Sequence, residues 1–472
     1  MADGSASLLI IATSSATVTE LNLHALQKGS LVAILFAGVI KGNLLSGKLS
    51  DRYGQRVSIL CSYMGVFCFS IMSAYTETFF SLSIFRMLVG FCIGVGQPPS
   101  NVFASEITPL RWRSVMIAFS QSLFALGEIY AALLISLDDS HMQGLHWRQL
   151  LVLGAIPPVL FGIASSFFLH RSPFFLAQQG EYDEAREVLS SMQHDNAICM
   201  PSVDFRGMEP STHAMTWLEQ VRDLYNSPLL PSIVILAGTG FVINFIYYGL
   251  LYAFPNLLPD LVGNRGSSSI QLFMGGLFEI VGIVAGCIVY IFLPRKSMLK
   301  IYLVAVCSST IVFLFGGFGG SPVGLFGYLA CLAGYYSLKS FGSLGCVVLY
   351  IYISELCLTS VRSTATSIAF ASGRIAAMLA PVVFEKLLEI TGSYVSFFVV
   401  IVGMASSSLV LIDLLPFETF GTDLCNTFAY IDENALSTLS SSTSTTPPTS
   451  PRFKSSIAAR LNAKLSGETR EF

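Results

Sequence analysis

Long apolar runs alternate with short polar loops along almost the whole chain. An α-helix needs about 20 apolar residues to cross roughly 30 Å of hydrocarbon, and runs of that order recur throughout the sequence. The pattern therefore predicts a multi-pass helical membrane protein. Twelve spans are expected, at 1–17, 29–49, 57–76, 79–101, 114–136, 149–169, 229–254, 270–293, 299–318, 323–352, 364–385 and 393–415.

The first of these runs is shorter than the others. It does not begin strongly apolar, and it ends at the polar stretch TELNLHALQKG. We therefore expect a truncated first helix, with the chain beginning inside it. The alternative is an eleven-span protein with a loose N-terminus.

Composition agrees with a membrane protein. Apolar residues make up 53% of the chain and charged residues 12%, whereas a soluble domain carries roughly 25% charged residues. The net charge of −3 indicates no partner, because most charges lie in loops. The ten cysteines form no CxxC pair and no Cys/His spacing of a metal site. They are expected to be small apolar residues within the spans, and neither a metal nor a cofactor is expected.

Lysine and arginine are unevenly distributed between the loops, which predicts the orientation. The short loops after even-numbered spans hold nine of these residues, and those after odd-numbered spans hold four. Positively charged loops favour the cytoplasm, so the even loops, the long insertion and the C-terminal tail are expected there. The nine are Lys48, Arg52, Arg56, Arg111, Arg113, Arg295, Lys296, Lys300 and Arg362; the four are Lys28, Arg148, Arg265 and Lys386.

Two hydrophilic regions complete the organisation. The insertion contains RSPFFLAQQGEYDEAREVLSSM, which predicts a cap, a turn at Gly180 and a helix with Ala185, Val188 and Leu189 on one face. The stretch STLSSSTSTTPPTSPRFKSS is of low complexity and predicts disorder. The expected domains are an N-terminal bundle of spans 1–6 (1–169), a cytoplasmic linker (170–228), a C-terminal bundle of spans 7–12 (229–416) and a disordered cytoplasmic tail (417–472).

Apart from the first two and the last three positions of each span, seven ionisable residues fall inside the predicted spans. Each costs roughly 2.5–3.5 kcal/mol at a helix centre exposed to lipid, so they must face protein or water. None lies in the interior of spans 3, 6, 9 or 12. This distribution predicts that every third helix stands outside, against lipid, and that a water-filled path runs between the others. The seven are Asp3, Lys41, Arg86, Glu128, Glu279, Lys339 and Arg374.

Small residues at four-residue spacing predict places where helices approach closely. One of these places, GFCIGVG (90–96), is not a nucleotide loop, because it lies inside an apolar span without a βαβ context. The pattern occurs at Gly38 and Gly42, at Gly90 and Gly94, and at Gly282 and Gly286.

The same short charged pattern occurs once in each half of the chain. SEITPLRWRS (105–114) and SELCLTSVRS (354–363) each open with Ser-Glu and close with Arg-Ser, with Glu and Arg seven positions apart. Residues seven apart on a helix share nearly one face but lie about 10 Å apart along it. Glu106 and Arg113 are therefore expected to pair with residues elsewhere, and Pro109 interrupts the helix between them.

Together these motifs resemble those of the major facilitator superfamily. GKLSDRYGQR (47–56) is similar to its loop signature G-x-L-a-D-R-x-G-R-R, with Gln55 replacing the first closing Arg. FRMLVGFCIGVG (85–96) resembles the helix 4 motif, LFEIVG (277–282) that of helix 8, and YIYISELCLTSVRS with GRIAAMLAP those of helices 10 and 11. The resemblance runs from Asp3 to about Pro416. It is strongest for the organic-solute, synaptic-vesicle-glycoprotein-like and sugar-transporter branches. The second loop copy, LPRKSML (293–299), is degenerate, and Leu358 replaces a proline.

The resemblance implies an all-α fold of two six-helix halves, a 6+6 transmembrane bundle with substrate near the middle of the membrane. It implies that helices 1, 4, 7 and 10 line the cavity, that 2, 5, 8 and 11 flank it, and that the rest stand outside. It also implies a cytoplasmic gate, stronger in the N-terminal half, where the loop at 51–56 meets the charged pattern that contains Glu106 and Arg113. Static anchoring of helix ends at the headgroups is the alternative. The gate residues are Gly47, Asp51, Arg52, Gly54, Arg56, Glu106, Arg113, Glu355 and Arg362.

Nine residues are candidates for the substrate cavity. Four bases against three acids leave an excess of positive charge, and the fork of Arg374 can grip a carboxylate, so an anionic or zwitterionic substrate is preferred. Burial favours the protonated form of a carboxyl group, which makes Glu128 and Glu279 candidate proton carriers. Structural ion pairs within the bundle are the competing explanation. The nine are Asp3, Arg86, Glu128, Asn244, Tyr247, Tyr248, Glu279, Lys339 and Arg374.

The sequence thus predicts a secondary transporter that moves a small polar organic solute by alternating access, with proton coupling. A non-transporting, synaptic-vesicle-glycoprotein-like or receptor-type membrane protein of the same fold is the alternative, for which Gln55, Leu358 and the degenerate loop leave room. An ATP-driven pump is disfavoured because there is no P-loop, and no enzyme activity is expected. We expect a monomer in a lipid bilayer, in the plasma membrane or a vesicle membrane. Its partners would be a small-molecule substrate and protons, without nucleic acid.

Overall fold

The computed structural model describes residues 1–108, 113–195, 230–262, 266–290, 292–317, 324–356 and 359–415. Within these residues the chain is helical and contains no strand. The helices are α1 (Ala2–Ala12), α2 (Ser14–Leu21), α3 (Ala25–Tyr53), α4 (Gln55–Ala74), α5 (Phe79–Ile107), α6 (Arg113–Asp138), α7 (Trp147–Gly154), α8 (Ile156–Phe168), α9 (Pro173–Gln179), α10 (Tyr182–Asp195), α11 (Leu230–Val262), α12 (Ser268–Tyr290), α13 (Arg295–Gly316), α14 (Gly324–Leu356), α15 (Thr359–Thr391) and α16 (Val395–Asp413).

In the described part of the chain, ten helical segments are long and apolar enough to cross a membrane. They coincide with the predicted spans 2 to 9, 11 and 12, and α7 and α8 together form the sixth. The tenth predicted span corresponds to α14, which is not among these ten. It packs between α12 and α13. The prediction of a multi-pass helical membrane protein is therefore confirmed.

The first predicted span forms α1 and α2, which continue one another through Thr13. Thr13 keeps a helical backbone, and its hydroxyl donates a hydrogen bond to the carbonyl oxygen of Leu9 at 2.6 Å. α1 packs against α6 and α11, and Leu9 and Ile11 are fully buried. The alternative of a loose N-terminus is therefore wrong. The helical segment also extends to Leu21 rather than ending at residue 17.

Three helix pairs form the most extensive contacts between the first half of the described chain and the second. α3 packs against α15, α6 against α12, and α1 against α11. All six belong to spans predicted to line or flank a central cavity. α11 is the most buried of the ten membrane-crossing helices. Of the residues in its apolar membrane-crossing stretch, 67% are buried inside the bundle, compared with 33% for α16. α12 is also only 33% buried, so burial alone does not distinguish flanking helices from outer ones.

The predicted glycine contacts are confirmed, because glycine lets two backbones approach where any side chain would collide. A methyl carbon built on Gly90 would lie 2.0 Å from the carbonyl oxygen of Leu35, and one on Gly38 would lie 2.2 Å from that of Met87. These contacts bind α3 to α5. In the second half, a methyl carbon on Gly282 would lie 2.1 Å from the carbonyl oxygen of Ser340, which binds α12 to α14.

Replacing Gly90 with alanine is expected to lower the thermal stability of the purified protein. The added methyl group meets backbone, which cannot move aside as a flexible side chain can, and overpacking of this kind costs about 1–3 kcal/mol. Gly403→Ala is the matched control, since nothing lies within 4 Å of a methyl carbon there. Thermal unfolding in one detergent compares the two variants. Equal stability of both would contradict the close α3–α5 contact.

The insertion begins as its sequence predicts. The Ser172 hydroxyl accepts a hydrogen bond from the backbone N–H of Phe175 and caps α9. Gly180 ends α9 with φ of +83°, a left-handed conformation that favours glycine. α10 follows and packs against α9, and Ala185 is fully buried. The cap, the turn and the amphipathic helix are therefore confirmed.

A polar anchor fixes the start of α7. Arg148 donates hydrogen bonds to the carbonyl oxygens of Ala74 and Thr76 at the end of α4, and its Nη2 lies 2.8 Å from Glu20 Oε1. Trp147 Nε1 also donates to Glu20. These hydrogen bonds from Arg148 and Trp147 to the Glu20 carboxylate tie α2 to α7.

Candidate substrate cavity

A closed ring of four polar side chains lies at the centre of the bundle. Lys339 Nζ lies 2.5 Å from Glu128 Oε2 and 2.6 Å from Glu279 Oε2. On the opposite side of the two carboxylates, the Tyr247 hydroxyl lies 3.1 Å from Glu128 Oε1 and 2.9 Å from Glu279 Oε1. One ammonium and one hydroxyl therefore bridge the same two carboxylates. With both carboxylates ionised, the ring carries one net negative charge.

The members of this ring come from four different helices. Glu128 lies on α6 in the first half, whereas Tyr247, Glu279 and Lys339 lie on α11, α12 and α14 in the second half. The side chains of Glu128 and Glu279 are 3% and 1% exposed, and that of Lys339 is 8% exposed. Such a buried ion cluster is stable only because each charge has a close partner of opposite sign. It also links the two halves of the chain at mid-bundle.

One small cavity borders the ring. It touches Glu128, Lys339 and Tyr335 and has a volume of about 10 Å³. A single water molecule needs roughly 10–15 Å³ of such space. This cavity therefore has no room for a solute.

Arg374 is the centre of a second polar group next to the ring. Its Nη1 donates a hydrogen bond to the Tyr248 hydroxyl at 2.6 Å, and its Nη2 donates to Gln97 Oε1 at 2.6 Å. The guanidinium also lies 5.7 Å from the centre of the Tyr248 ring. Because the rings of Tyr247 and Tyr248 are in contact, with centroids 5.1 Å apart, the two polar groups are neighbours. Arg374 on α15 and Gln97 on α5 again connect the two halves.

Arg86 is buried without a charged partner among the described residues. It is 4% exposed, and it makes no hydrogen bond or ion pair with the described residues. It precedes Gln97 by eleven residues on α5, which is close to three full turns, so both side chains emerge from the same face of the helix. An isolated buried charge is costly. Arg86 therefore favours an anion or a carboxylate nearby.

The remaining predicted cavity residues differ in their surroundings. Asp3 is half-buried and accepts a hydrogen bond from Ser7. Asn244 donates to the carbonyl oxygen of Gly240 on its own helix, and its amide packs so closely on Gly373 that a methyl group there would collide with it. Lys41 is exposed and has Met87 Sδ as a neighbour at 3.9 Å. Among the seven ionisable residues Lys41 alone is exposed, which a water-filled path would also give, so the expectation for Lys41 stays a prediction.

One end of the bundle is closed by contacts between its halves. We call it the Lys28 end, where α3 begins and α11 and α15 end. Lys28 Nζ lies 3.6 Å from Glu385 Oε1, and the Tyr252 hydroxyl donates to the same oxygen at 2.5 Å. Ser15 donates to Asn256 Oδ1 at 3.0 Å. These contacts join α2 and α3 of the first half to α11 and α15 of the second.

A backbone carbonyl adds to this closure. The hydroxyls of Ser267 and Ser269 both donate hydrogen bonds to the carbonyl oxygen of Ser140, at 2.8 Å and 3.1 Å. Ser140 follows α6 in the first half, and the two serines lie at the start of α12. The Lys28 end is thus sealed at two separate places.

The opposite end, where α4 begins, carries the predicted gate residues, and we call it the Arg56 end. Arg52 is exposed and lies over the ring of Tyr53, and nothing lies within 4 Å of a methyl group built on Gly47. Gly54 has φ of +85° and faces Phe175 of α9, and Arg56 Nη2 donates to the carbonyl oxygen of Ser166 on α8. The side chains of Asp51, Glu106, Arg113, Glu355 and Arg362 lie outside the described part of the structure.

Two functional candidates were missed by the sequence reasoning. Gln97 is neutral, so a count of ionisable residues omits it. Its polar amide within the apolar predicted span 79–101 could still have marked it as a functional candidate. Glu385 falls on the last residue of the predicted span 364–385, whereas α15 continues to Thr391 and buries it to 4% exposure. Both side chains contact the opposite half of the chain.

Comparison with known proteins gives a consistent result. The family model "Sugar (and other) transporter" matches residues 6–426. The chain is 26% identical to a D-xylose transporter of Levilactobacillus brevis over 384 residues, which are 79% of this chain and 81% of that protein. It is 25% identical to the synaptic vesicle 2-related protein of Xenopus laevis over 445 residues, 90% and 77% of the two chains. The inward-open structure of the xylose transporter XylE from E. coli superposes with a TM-score of 0.70 at 19% identity, covering 91% of this chain and 96% of that one.

Proposed function

This chain belongs to the sugar (and other) transporter family of the major facilitator superfamily, and from that premise we propose that it moves a small anionic or zwitterionic organic solute together with protons. The supporting observation is the buried ring in which Glu128 and Glu279 share the single ammonium of Lys339 between the two halves. Transport by alternating access requires the two halves to separate at one end and then at the other. A ring that joins the halves at mid-bundle couples that motion to its own protonation.

The charges within the bundle link the proton to the anion. The bases are the buried Arg86, Lys339 and Arg374, and the acids are the buried Glu128 and Glu279 and the half-buried Asp3. Because Lys41 is exposed, the excess of one base predicted from the sequence is absent when all six groups are ionised. Binding of one proton to a carboxylate then leaves one net positive charge, which favours an anion. Proton and anion entering together keep the interior neutral.

The sidedness completes the proposal. We place the Arg56 end in the cytoplasm, because the lysine- and arginine-rich loops lie there, and the Lys28 end on the opposite side. The bundles at 1–169 and 229–416 are the two moving bodies, and the linker at 170–228 joins them. The gate formed by the loop at 51–56 and the two repeated charged stretches closes the cytoplasmic side when the Lys28 end opens.

Uptake into proteoliposomes tests this function. We expect labelled small carboxylates, with benzoate and nicotinate as probes, to accumulate faster under an inward proton gradient, whereas D-xylose does not. Collapse of the gradient with an ionophore should remove the difference, and protein-free liposomes give the background. Uptake of D-xylose without uptake of carboxylates would overturn the anionic preference. Binding of ligands without any flux would favour a non-transporting membrane protein of this fold.

A further inference from the structure

A separate cavity lies at the Lys28 end of the bundle, away from the central ring. Its volume is about 430 Å³, within the range of roughly 300–1,000 Å³ typical of small-molecule sites. It lies between the two halves, since Lys28 belongs to α3 and the other lining residues belong to α11, α15 and the turn before α16. The polar and aromatic lining includes Lys28, Asn256, Asp260, Phe384, Glu385 and Tyr394.

The charged residues of this cavity are two carboxylates and one ammonium. Glu385 is 4% exposed, and its Oε1 accepts from the Tyr252 hydroxyl while Lys28 Nζ lies 3.6 Å away. Asp260 is exposed and makes no hydrogen bond or ion pair with the described residues. The cavity therefore carries one net negative charge, part of it on a desolvated carboxylate. A cation is the ligand that such a site favours.

The ammonium of Lys28 lies too far from Glu385 for a short charge-assisted hydrogen bond, so a ligand amine could bind this carboxylate more closely. Charge-assisted N–H···O bonds are about 2.7–2.9 Å long, so at 3.6 Å Lys28 does not satisfy Glu385 fully. The rings of Phe384 and Tyr394 border the same space. Aromatic faces attract an ammonium group and also pack against an apolar body. The lining thus combines the carboxylates and the rings that recognise an organic amine.

We propose that this cavity is a second ligand site, which binds a small organic cation with a protonated amine and an apolar body. The amine lies between Asp260 and Glu385 and competes with Lys28 for Glu385. The apolar body lies against Phe384 and Tyr394. The site differs from the central cavity in position and in the sign of its charge, and it does not depend on the transported substrate.

Binding of small molecules to the full-length protein in nanodiscs tests this site. The three probes, benzylamine, benzyl alcohol and benzoate, have the same ring and differ in charge. Calorimetry should show saturable binding of benzylamine that neither benzyl alcohol nor benzoate displaces. Asp260→Asn should weaken benzylamine binding about threefold and Glu385→Gln about tenfold. Lys28→Met should strengthen it, because the competing ammonium is gone. Glu389→Gln is the matched control on α15, since Glu389 is half-exposed and pairs with Lys386.

The variants separate this site from the central one. Asp260 is exposed and makes no hydrogen bond or ion pair with the described residues, so Asp260→Asn remains informative even where Glu385→Gln lowers the stability. Benzylamine binding should persist in the Arg374→Ala protein. Loss of binding in Arg374→Ala with normal binding in Asp260→Asn would place the amine in the central cavity and overturn the proposal. Weaker binding in Lys28→Met, or no saturable binding of benzylamine, would also overturn it.

Discussion

Replacing Lys339 with methionine should abolish transport and lower the thermal stability of the protein. The substitution removes the ammonium that lies 2.5 Å and 2.6 Å from two buried carboxylates. Removing one partner of a buried ion pair costs about 3–5 kcal/mol, because the remaining charge is left without compensation. Two carboxylates that share only the Tyr247 hydroxyl also repel one another. Uptake in proteoliposomes and thermal unfolding in detergent measure the two effects.

A second substitution distinguishes charge from packing. Lys339→Met combined with Glu128→Gln restores the net charge of the ring, so most of the stability should return while transport stays absent. Lys386→Met is the matched control, because Lys386 is 50% exposed and pairs with the equally exposed Glu389 on α15. If Lys339→Met were as stable as the unsubstituted protein at the same pH, Lys339 would not compensate the carboxylates. Recovery of stability without transport would favour a coupling role over a structural ion pair.

Much of the fold follows from local properties of the sequence. Apolar runs of the right length predict the spans because lipid tolerates no unsatisfied backbone, and Gly90 and Gly282 mark close contacts because only glycine fits there. The ends of the helices are less predictable. α14 and α15 extend beyond the predicted spans at 323–352 and 364–385. Polar residues such as Glu385 continue a helix wherever a partner such as Tyr252 satisfies them.

The central ring illustrates what sequence reasoning cannot supply. Glu128, Glu279 and Lys339 are each recognisable as costly residues inside apolar spans. Their pairing is not, since Glu128 and Lys339 are 211 positions apart and meet only when α6 packs beside the second half. Lys41 shows the reverse case. Its position inside an apolar span implies the same free-energy cost for a buried charge, yet its side chain is exposed. The charge balance, and with it the case for an anion accompanied by a proton, depends on this distinction.

Arg374 is expected to be the residue whose loss most reduces the affinity for substrate. Its guanidinium donates at 2.6 Å to Tyr248 and at 2.6 Å to Gln97, so it spans the second and first halves beside the ring. Truncating a buried, hydrogen-bonded charge costs roughly 2–5 kcal/mol. Arg374→Ala should therefore raise the KM for a carboxylate substrate about a hundredfold. Concentration-dependent uptake in proteoliposomes measures this effect.

Two further variants identify what Arg374 contributes. Arg374→Lys keeps the charge, but a single ammonium cannot reproduce the planar fork that reaches Tyr248 and Gln97 together, so the KM should rise about tenfold. Tyr248→Phe removes one acceptor of the guanidinium and leaves the charge, and should change the KM less than either. If Arg374→Ala lowered the stability without changing the KM, Arg374 would be a structural residue that joins α5 to α15. If Arg374→Lys retained full affinity, charge alone would recognise the substrate, and the buried Arg86, which has no charged partner among the described residues, would then be the better candidate for the group that grips the carboxylate.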